Sequence, residues 1–153
     1  MDALGLTHLV SSLVALVLGT AVVLGRKGTR RHVWLGRGYL LSMGVLIATA
    51  LPIQRLYGGW GPFHWMALAQ TGVVIAGGIP LLRRRADPHW RIRHAFYMTW
   101  SYVGLVAAAA AETTARIPGA PFAETVIGTV VAVVLAGRVL LERHLGVGWR
   151  PVR

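Results

Sequence analysis

The chain contains no cysteine in 153 residues. That excludes a disulfide scaffold, a thiolate metal site, an iron–sulfur cluster and a cysteine nucleophile. Acidic residues are scarce too, five Asp and Glu against 16 Lys and Arg. Only 14% of residues are charged, where a soluble domain carries about 25%. A chain this poor in charge cannot cover a soluble surface. Disorder is excluded by the other side of the composition, 55% hydrophobic with a mean hydropathy of +0.58. No GxSxG, HExxH or phosphate-loop motif is present. The aspartate-rich motif that holds a diphosphate through magnesium is also missing.

What is present is apolar sequence in long runs. A bilayer core about 30 Å thick takes about 20 apolar residues as a helix. Five segments qualify: residues 4–24, 35–56, 63–82, 95–114 and 122–141. The pieces between them are short and rich in Gly, Pro and Arg, which makes neighbouring helices antiparallel. The expected fold class is therefore all-α, an integral membrane bundle of five transmembrane helices forming a single domain over 1–153. Four helices carry small or polar stripes and form the core. The fifth is almost purely aliphatic and is expected at the periphery. Residues 142–153 read as a basic cytoplasmic tail.

The basic residues set the orientation. Arg26, Lys27, Arg30, Arg31 and Arg37 lie between spans one and two, and Arg83, Arg84, Arg85, Arg91 and Arg93 between spans three and four. Arg138, Arg143, Arg150 and Arg153 flank or follow span five, leaving only Arg55 and Arg116 for the opposite side. The positive-inside rule then puts the N-terminus outside and the C-terminus in the cytoplasm. No basic residue precedes Arg26, which argues against a cleaved signal peptide. Trp34, Tyr39, Trp90, Tyr97 and Trp149 fall near the inner boundary, and Tyr57, Trp60 and Trp65 near the outer one. The net charge of +11 is then a cytoplasmic rim facing anionic lipid. The lipid bilayer is the expected partner and nucleic acid is not, because no basic folded module is present. The single lysine among so many arginines hints at a GC-rich bacterial genome, and the expected location is a bacterial plasma membrane, crossed several times.

Lipid gives no hydrophobic push between helices, so small and polar residues must pack them. At 100° per residue, His8, Ser12, Ala15 and Gly19 share a face of span one. Tyr39, Ser42 and Thr49 do so in span two, His64, Thr71 and Gly78 in span three, and His94, Ser101, Ala108 and Glu112 in span four.

Four of the six histidines, His8, His32, His64 and His94, lie in or just before the first turns of spans one to four. The positive end of a helix dipole favours neutral imidazole, the form that ligates metals or haem iron. His8 and His64 would form an outer pair, and His32 and His94 an inner pair, a layout suited to haem b or a metal. The competing expectation is an interfacial histidine with one end wet. His89 and His144 read as solvated. Apart from Glu124 in the first turn of span five, Glu112 is the one acidic residue inside an expected span. Arg116 at i+4 offers it a local ion pair, and His8, Arg55, Tyr57 and His64 offer it an outer polar cluster for a metal, a quinone head group or an anion. Arg138 and Glu142 make a similar i,i+4 pair at the other end. Gly58-Gly59-Trp60-Gly61-Pro62 reads as a tight turn with Pro62 starting a helix.

Three stretches carry a family resemblance. Gly28-Thr29-Arg30-Arg31-His32-Val33-Trp34-Leu35-Gly36-Arg37-Gly38-Tyr39 is similar to a Gly-Thr-x-x-His-x-x-Leu-Gly-Arg-x-Tyr pattern. Gly61-Pro62-Phe63-His64 is similar to a Gly-Pro-Phe-His start of a third span. Trp90 through Arg93, then Phe96–Leu105 with Trp100-Ser101-Tyr102 and Gly104, continue the likeness to Glu112. Across roughly residues 5–118 the chain resembles the small prokaryotic polytopic membrane proteins known as domain of unknown function 2306. Val33 stands where a basic residue is usual, and Asp87 stands where the loop before span four often has histidine. The resemblance implies that His32, Gly36, Arg37, Tyr39, His64, Arg93 and Glu112 matter, without implying an activity.

Three functions compete: a haem- or metal-handling redox protein, an accessory or assembly subunit of a larger membrane complex (or a homo-oligomer), and a small transporter or proton path along His94, Ser101 and Glu112.

Overall fold

The structure, a computed structural model, describes residues 2–54 and 58–145, the side chains of 143–145 excepted. It is all-helical, with α1 (Ala3–Leu24), α2 (Arg30–Ala50), α3 (Pro62–Leu82), α4 (Trp90–Thr114) and α5 (Phe122–Leu145) and no strand among the described residues.

Each of the first three helices starts on a local signal. The Asp2 carboxylate accepts the Gly5 N–H at 3.1 Å and opens α1. Gly28, at φ +75°, makes the turn a side chain would strain. Thr29 Oγ1 then accepts the His32 N–H at 3.1 Å and opens α2. Pro62 occupies the first turn of α3. There His64 Nδ1 accepts the Gly61 N–H at 3.0 Å while the His64 N–H donates to the Gly61 carbonyl at 3.0 Å. At the far end of α1, Lys27 Nζ folds back onto the carbonyls of Val22, Val23 and Gly25. A cation on the negative end of the helix dipole is favourable, and partial burial holds this ammonium below the usual lysine range.

α2 lies several residues earlier than the expected 35–56. Thr29 supplies the cap, and the helix closes at Ala50, two residues before Pro52. α4 likewise begins at Trp90, after Asp87 Oδ1 accepts the His89 N–H at 2.9 Å.

Contacts between helices run in opposite order along the chain. His8 meets Thr49 and Gly19 meets Tyr39, so α1 and α2 are antiparallel. Gln70 meets Ser101 and Gly77 meets His94, so α3 and α4 are antiparallel too. α4 is the hub, packed by α1, α3 and α5, whereas among the described residues α5 packs on α4 alone. The deepest layer is Ala15, Tyr39, Met43 and Leu105. Gly19 makes that layer fit, because a Cβ there would lie 2.5 Å from the Tyr102 ring and 3.0 Å from the Tyr39 ring. Gly137 does the same for α5, where a Cβ would lie 2.7 Å from Val103.

Burial is inverted relative to a soluble bundle. Leu13, Val17, Leu41, Ile75, Ile127 and Leu135 are all more than half exposed, while Ser11, Ser42, His64 and Ser101 are buried. Contiguous apolar surface on this scale is not what soluble monomers show. Four helices, α1, α2, α3 and α5, are long and apolar enough to cross a membrane. α4 is longer, but Tyr97, Thr99, Trp100, Ser101, Tyr102 and Glu112 keep it below the hydropathy of the other four. It is also flanked by three other helices, so less of it needs to be apolar.

The helix faces differ in detail from those expected. In α1 the buried set is Ser11, Ala15 and Gly19, and Ser12 instead bonds its own helix at Leu9. In α3 the inward residues are His64, Gly77 and Pro80; Thr71 bonds back to Ala67, and nothing approaches Gly78.

Candidate functional site

At the end of the bundle holding the α1 N-terminus, His8 bridges three helices. Thr49 Oγ1 donates to the carbonyls of Val45 at 2.8 Å and Leu46 at 3.0 Å. Its lone pair therefore faces His8, and His8 Nδ1 is the donor across 3.2 Å. His8 Nε2 then lies 3.6 Å from Oε1 of Glu112. Glu112 also meets Arg116 at 3.9 Å, and the Arg116 guanidinium donates to the Glu112 carbonyl. The local ion pair and the cross-helix contact thus coexist. Arg55 and Tyr57, expected in this cluster, lie outside the described residues.

His64 does not join His8. Its Nδ1 is taken up by its own helix start, its ring stacks on Trp60 at 5.4 Å, and its buried Nε2 has no hydrogen-bond partner.

Tyr39 and Ser101 meet in the middle of the bundle at 2.9 Å. Ser101 donates to the Met98 carbonyl at 2.8 Å, so the Tyr39 hydroxyl is the donor between helices. Thr20 and Tyr102 repeat the arrangement: Thr20 donates to Leu16, and Tyr102 donates to Thr20 at 2.6 Å. Gln70 Nε2 donates to the Ser101 carbonyl at 2.6 Å, with its Oε1 packed against Gly104. Gln70 was missed by the helical-stripe reading. The signal available was a primary amide inside an otherwise apolar helix, where polar side chains usually bond across helices. Between this layer and Glu112 the interior is Leu105, Ala107 and Ala111, all buried.

At the opposite, basic end the pair is His32 and His94. His94 Nδ1 donates to the Gly77 carbonyl at 2.8 Å. The bond fixes the proton on Nδ1 and leaves Nε2 of His94 as the lone pair. His32 lies within electrostatic range of His94 and of Lys27, and its buried Nδ1 has no hydrogen-bond partner. Around them Arg93 pairs with Asp87 at 3.3 Å, the Arg37 guanidinium lies 5.2 Å over the Trp34 ring, and Arg91 lies 5.3 Å over Trp90. His89 holds the N-cap position of α4 without a side-chain cap bond, and the side chain of His144 lies outside the described residues. Among the described residues no three His, Cys, Asp or Glu side chains gather as a metal site.

Compared with protein-family models, with curated proteins and with solved structures, the chain matches none.

Proposed function

We propose that this chain is a five-span protein of a bacterial plasma membrane, with its N-terminus outside, akin to domain of unknown function 2306, and that it binds haem or a metal in a redox or handling role. The inverted burial supports the membrane. α4 joins the other four as a span because its Ser101, Tyr102 and Glu112 find partners on neighbouring helices. The arginines then collect on the cytoplasmic side.

For the cofactor, one observation favours the inner pair over the outer. His94 donates its Nδ1 proton to a backbone carbonyl, the support that ligating histidines commonly have, and its Nε2 lone pair is left for iron. His32 offers a buried nitrogen with no other partner. His94 and His32 would be the residues to hold a haem, and the arginines at this end would suit its propionates. In contrast, His64 Nδ1 accepts from its own helix start, so its buried Nε2 carries the ring proton rather than a lone pair, and His8 is engaged by Thr49 and Glu112. The test is an absorption spectrum and metal analysis of detergent-purified protein from haem-supplied cells. A Soret band lost in His94→Ala and His32→Ala but kept in His64→Ala is the expected result. No Soret band and no bound metal overturns the reading.

A second reading, an accessory subunit of a membrane complex or a homo-oligomer, is favoured by α5. Among the described residues it touches only α4 and leaves Ile127, Val131 and Leu135 uncovered. Purification in mild detergent tests it, and recovery of the chain alone as a monomer removes it.

A further inference from the structure

A groove of about 580 Å³ runs between α1 and α2, lined chiefly by Leu6, Val10, Val14, Leu18, Leu41 and Val45. Two serines reach it, but Ser11 donates to the His8 carbonyl at 3.0 Å and Ser42 to the carbonyls of Gly38 and Tyr39 at 2.9 Å. Neither hydroxyl proton faces the groove, so the slot is apolar in effect. On α1 it extends from Leu6 to Leu18, about 18 Å at 1.5 Å per residue.

The α2 wall is built from positions 38, 41, 42 and 45. The same helix face, followed one and two turns toward the basic end, presents Trp34 and then Arg31. Trp34 is 65% exposed, and Arg37 stacks its guanidinium over the ring. Arg31 and Arg37 are both exposed, and among the described residues neither makes an ion pair. Along one line, then, come an apolar slot, an indole suited to a membrane boundary, and two guanidiniums whose fork matches phosphate.

We infer that this groove binds an anionic phospholipid, with an acyl chain between α1 and α2 and the head-group phosphate on Arg31 and Arg37. The inference rests on the membrane reading and orientation above, and the charge at the end of the slot is what selects a lipid over a partner helix.

The test uses the full chain, extracted in mild detergent and examined by native mass spectrometry with added phosphatidylglycerol or phosphatidylcholine. Phosphatidylglycerol is expected to stay bound at one per chain and phosphatidylcholine to dissociate. An Arg31→Gln/Arg37→Gln variant should weaken phosphatidylglycerol roughly thirtyfold, the combined effect of two arginines at an anionic lipid. Val14→Trp, which fills the slot, should abolish retention of the lipid, and Arg138→Gln should leave it unchanged. Equal retention of the two lipids overturns the inference, as does phosphatidylglycerol binding indifferent to Arg31 and Arg37. So does a dimer that dissociates on Val14→Trp while lipid binding persists, since the slot then holds a second copy. Helical circular dichroism checks each variant, and if Val14→Trp does not fold, the double arginine variant decides. Recovery of the chain without detergent defeats the membrane reading itself, whereas membrane-bound protein with no lipid preference defeats only the groove.

Discussion

Each end of the bundle pairs two histidines from helix starts, His8 with His64 and His32 with His94, and the two ends engage their rings differently. At one end His8 and His64 have their ring nitrogens engaged by Thr49, Glu112 and the Gly61 N–H, apart from a single buried nitrogen on His64. At the other, His94 is oriented by a backbone carbonyl and His32 keeps a buried nitrogen unbonded. Position in the helix therefore does not decide what a histidine does. What decides it is whether a neighbouring donor or acceptor already claims the ring.

The largest way to disturb this arrangement lies between the ends. Gly19→Ala would drive a methyl into the Tyr102 and Tyr39 rings, whose hydroxyls tie α1 and α2 to α4. Overpacking of this kind costs about 1–3 kcal/mol, and thermal unfolding in detergent should show it. Gly128→Ala, where nothing lies within 4 Å, should be neutral or slightly stabilising by comparison. Next comes His64→Ala, which removes the reciprocal helix start. A cost of about 1 kcal/mol is expected, with no loss of a Soret band, which separates the structural end from the proposed cofactor end. Tyr39→Phe deletes the donor to Ser101 and should cost about 0.6 kcal/mol, the average for hydrogen bonds inside membrane bundles. Glu112→Gln should then cost a few tenths of a kcal/mol, because its carboxylate is part-exposed. Arg138→Ala should fall within about 0.5 kcal/mol of wild type, since its pair with Glu142 is solvent-exposed. If Arg138→Ala outranks Glu112→Gln, the cross-helix role of Glu112 is wrong.

The order of effects also shows what a sequence can disclose. Helix count and rough placement were legible because 20-residue apolar runs announce themselves. Two of the three stretches resembling a family carry, in the structure, helix-start signals: Gly28-Thr29 before His32, and Gly61-Pro62 before His64. Sharing them tells of shared helix starts before it tells of shared chemistry. Helix rotation was less legible. Ser11 and Ser12 differ by 100°, and which of them enters the core depends on where α2 and α4 lie, not on α1. The same dependence hid Gln70, whose role appears only when Gly104 leaves room beside Ser101. The direction of each hydroxyl bond was not legible either, because it follows from Ser101, Thr20 and Thr49 donating to their own helices.

The turn after α1 has a practical consequence. Lys27 is the sole lysine in this sequence, and its amine is held by three carbonyls. Acylating reagents thus find one lysine, and its ammonium must leave those carbonyls and give up a proton before it reacts. The rate of modification at that nitrogen becomes a built-in report on how firmly the end of α1 holds its cation, without any engineered label.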